Sequence, residues 1–215
     1  MTMNNTLFSF AAVALVVGGC AAPKPEPTAQ QLDAMTQAMM KSSFSDKGIA
    51  KLDRLNQDLP QKACSSDQMP AHAVVEQIQS QALASVQWPD GGRYLGDWKS
   101  GEKIAQSGRG QTWNDAADRA NGGSCYNCHQ ISKEELSYGT IGPSLYHYGK
   151  TRGVSDPYSA ASAPILQYTW VKLWNSKAYS ACSNMPRFGH EKLLTQDQLR
   201  DIMALLLDPK SPVNQ

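Results

Sequence analysis

"SCYNCHQ", residues 124–130, decides how this chain is read. Cys125, Cys128 and His129 within it make the pattern Cys-x-x-Cys-His. With five Cys and four His in 215 residues, chance places that pentapeptide in about two of a thousand chains of this composition. Two thiols at this spacing sit on one side of a single helical turn. There both can add across the vinyl groups of a haem while the adjacent imidazole reaches the iron, and the pattern is the attachment signature of c-type haem. A redox-active dithiol would need a thioredoxin-like βαβ setting, and half a zinc site would need a second ligand pair. The sequence offers neither, and no second Cys-x-x-Cys occurs. One covalent haem c is the expected cofactor.

If His129 binds iron through Nε2, its other ring nitrogen needs a fixed acceptor, because that hydrogen bond sets the tautomer and the ring orientation. "TIGPSLYHYG", residues 140–149, offers one at the Gly142-Pro143 turn. The segment resembles the Gly-Pro-x-Leu stretch of class I cytochromes c, and by that resemblance the Pro143 carbonyl is the acceptor. For the sixth ligand the candidates are Met185, His72, His147, His190 and Cys182. Position favours Met185, in "CSNMPRFGH", where Pro186 ends any helix and forces a loop that can bring a thioether over a haem face. His147 sits too near the proline turn, and His190 is the runner-up. A His/Met pair raises the reduction potential and fills both axial positions, so the iron would shuttle one electron and carry out no bond chemistry. Trp113, Tyr146, Tyr148, Trp170 and Trp174 are aromatic residues available to wall a haem, but ordinary core packing accounts for them equally well.

The N-terminus bears on location. Leu7 to Gly19 is an apolar run too short for a membrane span, and it closes on "VVGGC". Residues 1–19 read as an export signal, with Cys20 placed as in the lipobox of bacterial lipoproteins, where it would be lipidated. Ordinary cleavage after the small residues is the competing reading, since no Lys or Arg precedes the apolar run. Membrane attachment would be through lipid alone. In a periplasmic setting unpaired thiols are a liability. With Cys125 and Cys128 on haem and Cys20 on lipid, Cys64 and Cys182 remain as a candidate disulfide, against the alternative of two separate buried thiols. A hydrophobic content of 41% suits a soluble fold with one core, and a net charge of +1 gives no reason to expect nucleic acid as a partner.

The pattern along the chain is mainly α. Residues 20–29, with "PKPEPT", read as a tether. Residues 30–97 read as a helical extension of three short helices, "QQLDAMTQAMM", "IAKLDRLNQDL" and "AVVEQIQSQAL", ending at the loop "VQWPDGGRYLGDW". A boundary near Trp98 then opens the domain that carries the haem motif, 98–215. In that domain Thr195 and Gln198 predict a capping box, Leu194 and Leu199 a hydrophobic staple, and Leu199, Ile202, Met203 and Leu206 one apolar helix face. Asp208-Pro209 stops that helix.

Several stretches taken together, "LGDWKSGEKIAQSGRGQTW", "GGSCYNCHQ", "GTIGPSLYHYGKTRG", "CSNMPRFGH" and "MALLLDPKSPVN", resemble one family of monohaem cytochromes. This is SoxX, the small cytochrome subunit of the SoxAX complex of bacterial thiosulfate oxidation. The likeness runs from about Gly96 to Asn214 and more loosely over the extension. It implies a class I cytochrome c-like helical domain in a periplasmic heterodimer with a SoxA-like subunit. That partner's haem and cysteine couple thiosulfate oxidatively to a SoxYZ-like carrier protein. By the resemblance, Cys125 and Cys128 hold the haem, and His129 and Met185 ligate it. The chain is then the non-catalytic electron-transfer subunit of an L-cysteine S-thiosulfotransferase, passing electrons to a downstream acceptor. The alternative is a free-standing periplasmic monohaem carrier in a respiratory chain. A lipid at Cys20 would be a departure, since many family members are soluble in the periplasm.

Overall fold

The computed structural model of the chain describes residues 26–215. Within them helices are the extended regular elements, and the one strand-type pairing among the described residues is an isolated bridge between Lys47 and Ala50. The chain is mainly helical, as its apolar periodicity implies. The expected signal segment, Cys20 and most of the tether lie outside the described residues.

Two compact units divide the chain, one ending at Phe44 and one running from Ser45 to Gln215. In the first, α1 (Ala29–Ser43) begins with a capping box: Gln31 N–H donates to the Thr28 hydroxyl, and Thr28 N–H donates to Gln31 Oε1 at 2.8 Å.

The second unit is built around α7 (Gln196–Leu207), which starts at the expected capping box of Thr195 and Gln198. The sequence implies one apolar face on this helix, yet Ala204, Leu205 and Leu207 are buried along with Leu199, Ile202, Met203 and Leu206. The reason lies in what surrounds it. On one side α4 (Trp98–Gln106) crosses so closely that a Cβ at Gly101 would collide with the Asp201 carbonyl oxygen. On others lie α5 (Tyr148–Thr151) and α6 (Ala163–Trp174). The chain end then folds back as a 3-10 turn, Pro212–Asn214. Buried Asn214 accepts from Gly149 N–H (2.9 Å) and Lys150 N–H (3.2 Å) and donates to the carbonyls of Leu206 (3.1 Å) and Asp208 (3.0 Å). One amide thus satisfies the end of α7 and the start of α5 together.

Two sequence expectations are corrected. Residues 49–59 do not form one helix: Leu52–Leu55 is a 3-10 turn, and α2 (Leu59–Ala63) starts afresh. Asp58 caps α2 through Gln61, and Pro60, having no N–H, is tolerated only in the first turn of a helix, so the ladder restarts there. The division near Trp98 also gives way, because residues 45–97 belong to the same compact unit as the motif. Buried Ile78 and Ala82 of α3 (His72–Ala84) contribute to the interior. The indoles of Trp170 and Trp174 donate to the carbonyls of Gln87 and Ser85, each at 2.9 Å. Tyr94 meets Trp170 edge-on with centroids 5.9 Å apart. Two further links bridge this segment to the far end of the chain: a disulfide joins Cys64 to Cys182, and Asp58 pairs with Arg187 at 2.6 Å. A two-domain reading from composition alone misses such long-range bonds.

Three outcomes follow from these contacts. Helix propensity favours Gly101→Ala by ~1 kcal/mol, but the obstructing atom belongs to backbone that cannot rotate away. The substitution should therefore be destabilising overall by roughly 1–3 kcal/mol in urea unfolding. The Cys64–Cys182 bridge closes a loop of sequence separation 118, so the double Cys→Ser variant should lose roughly 2–5 kcal/mol. Burial works against the charge on Asp58, but the Gln61 N–H and the Arg187 guanidinium outweigh it and hold the carboxyl below its usual range. A depressed folded pKa supplies stability that is present above the unfolded value and is lost as pH falls through the folded one. Asp58→Asn should lower the urea midpoint at neutral pH and flatten its decline below about pH 4.

Candidate functional site

The turn that carries the two thiols hangs from the C-terminal end of α4. Gly123 N–H donates to the Ile104 carbonyl (2.8 Å) and Ser124 N–H to that of Ser107 (2.9 Å). Ser124 then takes a left-handed conformation, φ 51°, and starts the 3-10 turn Cys125–Asn127. Within it Cys128 and His129 N–H both donate to the Cys125 carbonyl, at 3.1 and 2.9 Å. This short turn is the local reason that Cys125, Cys128 and His129 face one space. Both thiols are free, and burial pushes Cys125 up to about 12. That thiol is protonated at neutral pH, unlike the thiolate of a Cys-x-x-Cys oxidoreductase.

His129 Nδ1 lies 2.7 Å from the Pro143 carbonyl oxygen. A carbonyl only accepts, so Nδ1 is the donor here, and the bond fixes the ring's orientation with Nε2 turned to the other side. The Gly-Pro stretch is held against the ring from behind. Gly142 N–H donates to the Cys128 carbonyl at 2.8 Å, and a Cβ at Gly142 would collide with the imidazole. Glycine is needed there for close approach.

Met185 arrives on the loop after α6. Ser176 Oγ donates to the Met185 carbonyl (2.7 Å), and Met185 N–H donates to Ser183 Oγ (3.2 Å). The Lys177 ammonium, buried and so shifted to a lower pKa, donates to the carbonyls of Ser183 (3.2 Å) and Ala181 (3.4 Å). The disulfide at Cys182 precedes Met185, and Arg187, paired with both Asp58 and Glu191, follows it. The loop is clamped on both sides of the thioether.

All of these groups line one cavity of about 570 Å³: Cys125, Cys128, His129 and Pro143 from one part of the chain, Met185 from another, with Leu145, Leu173, Phe188 and Leu206 as apolar wall. The other sixth-ligand candidates are engaged elsewhere. Cys182 is in the disulfide, and the His147 ring bonds the Gln215 carbonyl at 2.6 Å. His72 is exposed beside Glu76, and exposed His190 borders a separate cavity of about 360 Å³. Among the aromatic residues, Tyr148 lines the main cavity with its hydroxyl on Thr169 Oγ1 at 2.9 Å. Trp170 and Trp174 are core, Trp113 is exposed, and Tyr146 stacks on His147. Among the described residues no group of three or more His, Cys, Asp or Glu side chains could hold a bare metal ion. Chemically the cavity presents two thiols, an imidazole and a thioether within a largely apolar wall.

Sequence reasoning did not find the clamp on the Met185 loop. Ser176, Lys177, Asp58 and Arg187 form no motif, and the Asp58–Arg187 pair joins distant parts of the chain. Arg152 and Lys172, which also line the cavity, were equally invisible.

No known protein-family model matches the chain. A protein of Aquifex aeolicus (strain VF5) described as an uncharacterized lipoprotein is 34% identical over 164 residues, covering 74% of this chain and 73% of the relative. Likeness at that level, over most of both sequences, places the chain in the same family as the Aquifex aeolicus lipoprotein.

Proposed function

We propose that this chain is a monohaem c-type cytochrome of the SoxX kind, the electron-transfer subunit of a periplasmic thiosulfate-oxidising heterodimer with a SoxA-like partner. The observation that carries the reading is the convergence of Cys125, Cys128, His129 and Met185 on one apolar-walled cavity. Its volume of about 570 Å³ lies within the ~300–1,000 Å³ common for small-molecule and cofactor sites. The donor set fits the group: two unbonded cysteines for the vinyl positions, an imidazole whose tautomer is fixed by Pro143, and a thioether held by a clamped loop. When bound, haem supplies reversible one-electron chemistry.

The chain's own residues then do four things. Cys125 and Cys128 anchor the macrocycle so that it cannot dissociate. The Pro143 carbonyl orients the His129 ring and directs Nε2 into the cavity. Met185 contributes a neutral, soft ligand that favours the reduced metal and raises its potential. Leu145, Leu173, Phe188 and Leu206 exclude water, which favours the less charged, reduced state. With imidazole and thioether both committed, catalysis falls to the partner subunit, whose electrons this chain would pass to a downstream acceptor.

Location follows the same reading. The relative is described as a lipoprotein, and here Cys20 stands directly after "VVGG". Among the described residues no helix is long and apolar enough to cross a membrane. Lipid on Cys20 would hold the protein at the periplasmic face.

Produced in a host able to mature c-type cytochromes, the protein should keep its haem through a denaturing gel, and Cys125→Ser/Cys128→Ser should lose it. Met185→Ala should abolish the sulfur–iron absorption band and lower the midpoint potential; a band that persists rules out Met185 as ligand. The holoprotein should copurify with a second haem subunit. A stable monomer that ignores such a subunit would instead make the chain a free-standing carrier.

A further inference from the structure

Resting on the reading of Cys20 as a lipid-bearing residue, we infer that α1 lies flat on the membrane that holds the lipid, with Leu32, Met35 and Met39 set into the headgroup boundary. These three stand at i, i+3 and i+7 and make one apolar stripe along the helix, while Asp33, Gln37 and Lys41, spaced by four, occupy the opposite side. The stripe is in the open: Leu32 is 51% exposed, Met35 60% and Met39 57%, and α1 buries none of its residues. Phe44, which ends the helix, is half-exposed and adds an aromatic side chain there. A helix of 15 residues is marginal in water by itself and ordinarily draws its stability from covering an apolar face. The capping box of Thr28 and Gln31 secures only its first turn.

The place of α1 in the chain selects the occupant. Only residues 21–28 separate Cys20 from the helix, and extended chain of that length spans at most about 30 Å. Lipid on Cys20 therefore confines the helix to a thin layer beside the bilayer, where a second contact is intramolecular and a small apolar area suffices. The family relative is described as a lipoprotein. The chemistry of the stripe agrees, because methionine is unbranched, flexible and polarisable and packs against irregular apolar surroundings such as acyl chains. One Asp and one Lys leave the helix with no net charge, so the contact is made by apolar burial and not by attraction to anionic headgroups. A second copy is a poorer match: the next seam position after Met39 is Ser42, which cuts a coiled-coil seam short.

The test is amide hydrogen exchange of the full mature chain, lipidated and reconstituted in phosphatidylcholine vesicles, against Cys20→Ser protein exported behind an ordinary cleavable signal. The amides of α1 should exchange about tenfold more slowly on the vesicles, while those of α7 keep one rate in both forms. Adding phosphatidylglycerol to the vesicles should leave that protection unchanged; protection that requires it overturns apolar burial as the contact. Leu32→Gln/Met35→Gln/Met39→Gln, whose new side chains are good helix formers, should remain lipidated and vesicle-bound yet lose the protection of α1. Protection already present in the soluble form overturns the proposal, in favour of self-association if it rises with protein concentration and of a contact within the chain if it does not. Equal exchange of α1 in both forms, or protection that survives in the triple variant, overturns it too and leaves the lipid anchor standing. Mature wild-type protein whose mass shows no lipid overturns the anchor and the membrane contact together.

Discussion

The close crossing of α4 and α7 is the constraint on which the rest of the larger unit depends. Gly96 N–H donates to the Arg200 carbonyl at 2.9 Å, Asp97 N–H donates to the Asp201 carboxylate at 2.8 Å, and Gly101 lies against the Asp201 backbone with no room for a side chain. Helices usually pack 8–10 Å apart through interdigitated side chains; a glycine at the crossing lets the backbones come nearer and fixes one register. From that fixed helix the turn bearing Cys125 is suspended by the carbonyls of Ile104 and Ser107. From its partner, Leu206 reaches the cavity wall. A change in the crossing would displace both sides of the site.

The two candidate ligands are positioned by different physics. His129 is fixed locally, by a turn within its own pentapeptide and by a carbonyl in the next loop. Met185 depends on the whole chain: a disulfide to residue 64, an ion pair to residue 58 and hydrogen bonds from the segment just after α6 all converge on its loop. Unequal strengths are expected among these. A disulfide closing a long loop typically contributes a few kcal/mol, whereas a partly exposed ion pair contributes roughly 0–1 kcal/mol. The covalent tie therefore dominates, and the polar contacts choose the geometry within it. This also explains why residues 45–97, which look in sequence like an appendage, belong to the same compact unit as the motif.

Much of the site was legible because short-range patterns carry it. Cys-x-x-Cys-His puts three functional groups on one turn whatever the surrounding fold, and Gly-Pro followed by Leu marks a nearby carbonyl. The start of α7 was equally readable, since Thr195 and Gln198 satisfy each other across three residues. Less legible was anything made by distance. Ala204, Leu205 and Leu207 of α7 are buried beyond the one apolar face expected, because α4, α5, α6 and the returning chain end enclose it. Apolar periodicity over residues 49–59 looked helical, yet Pro60 and the Asp58 cap restart the ladder.

By itself the sequence determined the helical class, the grouping of Cys125, Cys128 and His129 on one short turn, and where α7 begins, all of which are set by bonds spanning a few residues. Tertiary structure brought Met185, the candidate that position had favoured, into the cavity with them and left His72, His147, His190 and Cys182 outside it. It alone decided, too, that Arg152 and Lys172 stand in the wall and that the chain divides at residue 44 instead of 97. These outcomes depend on which distant segments can be brought together at the lowest cost in chain entropy and buried polarity, and no local pattern encodes that sum.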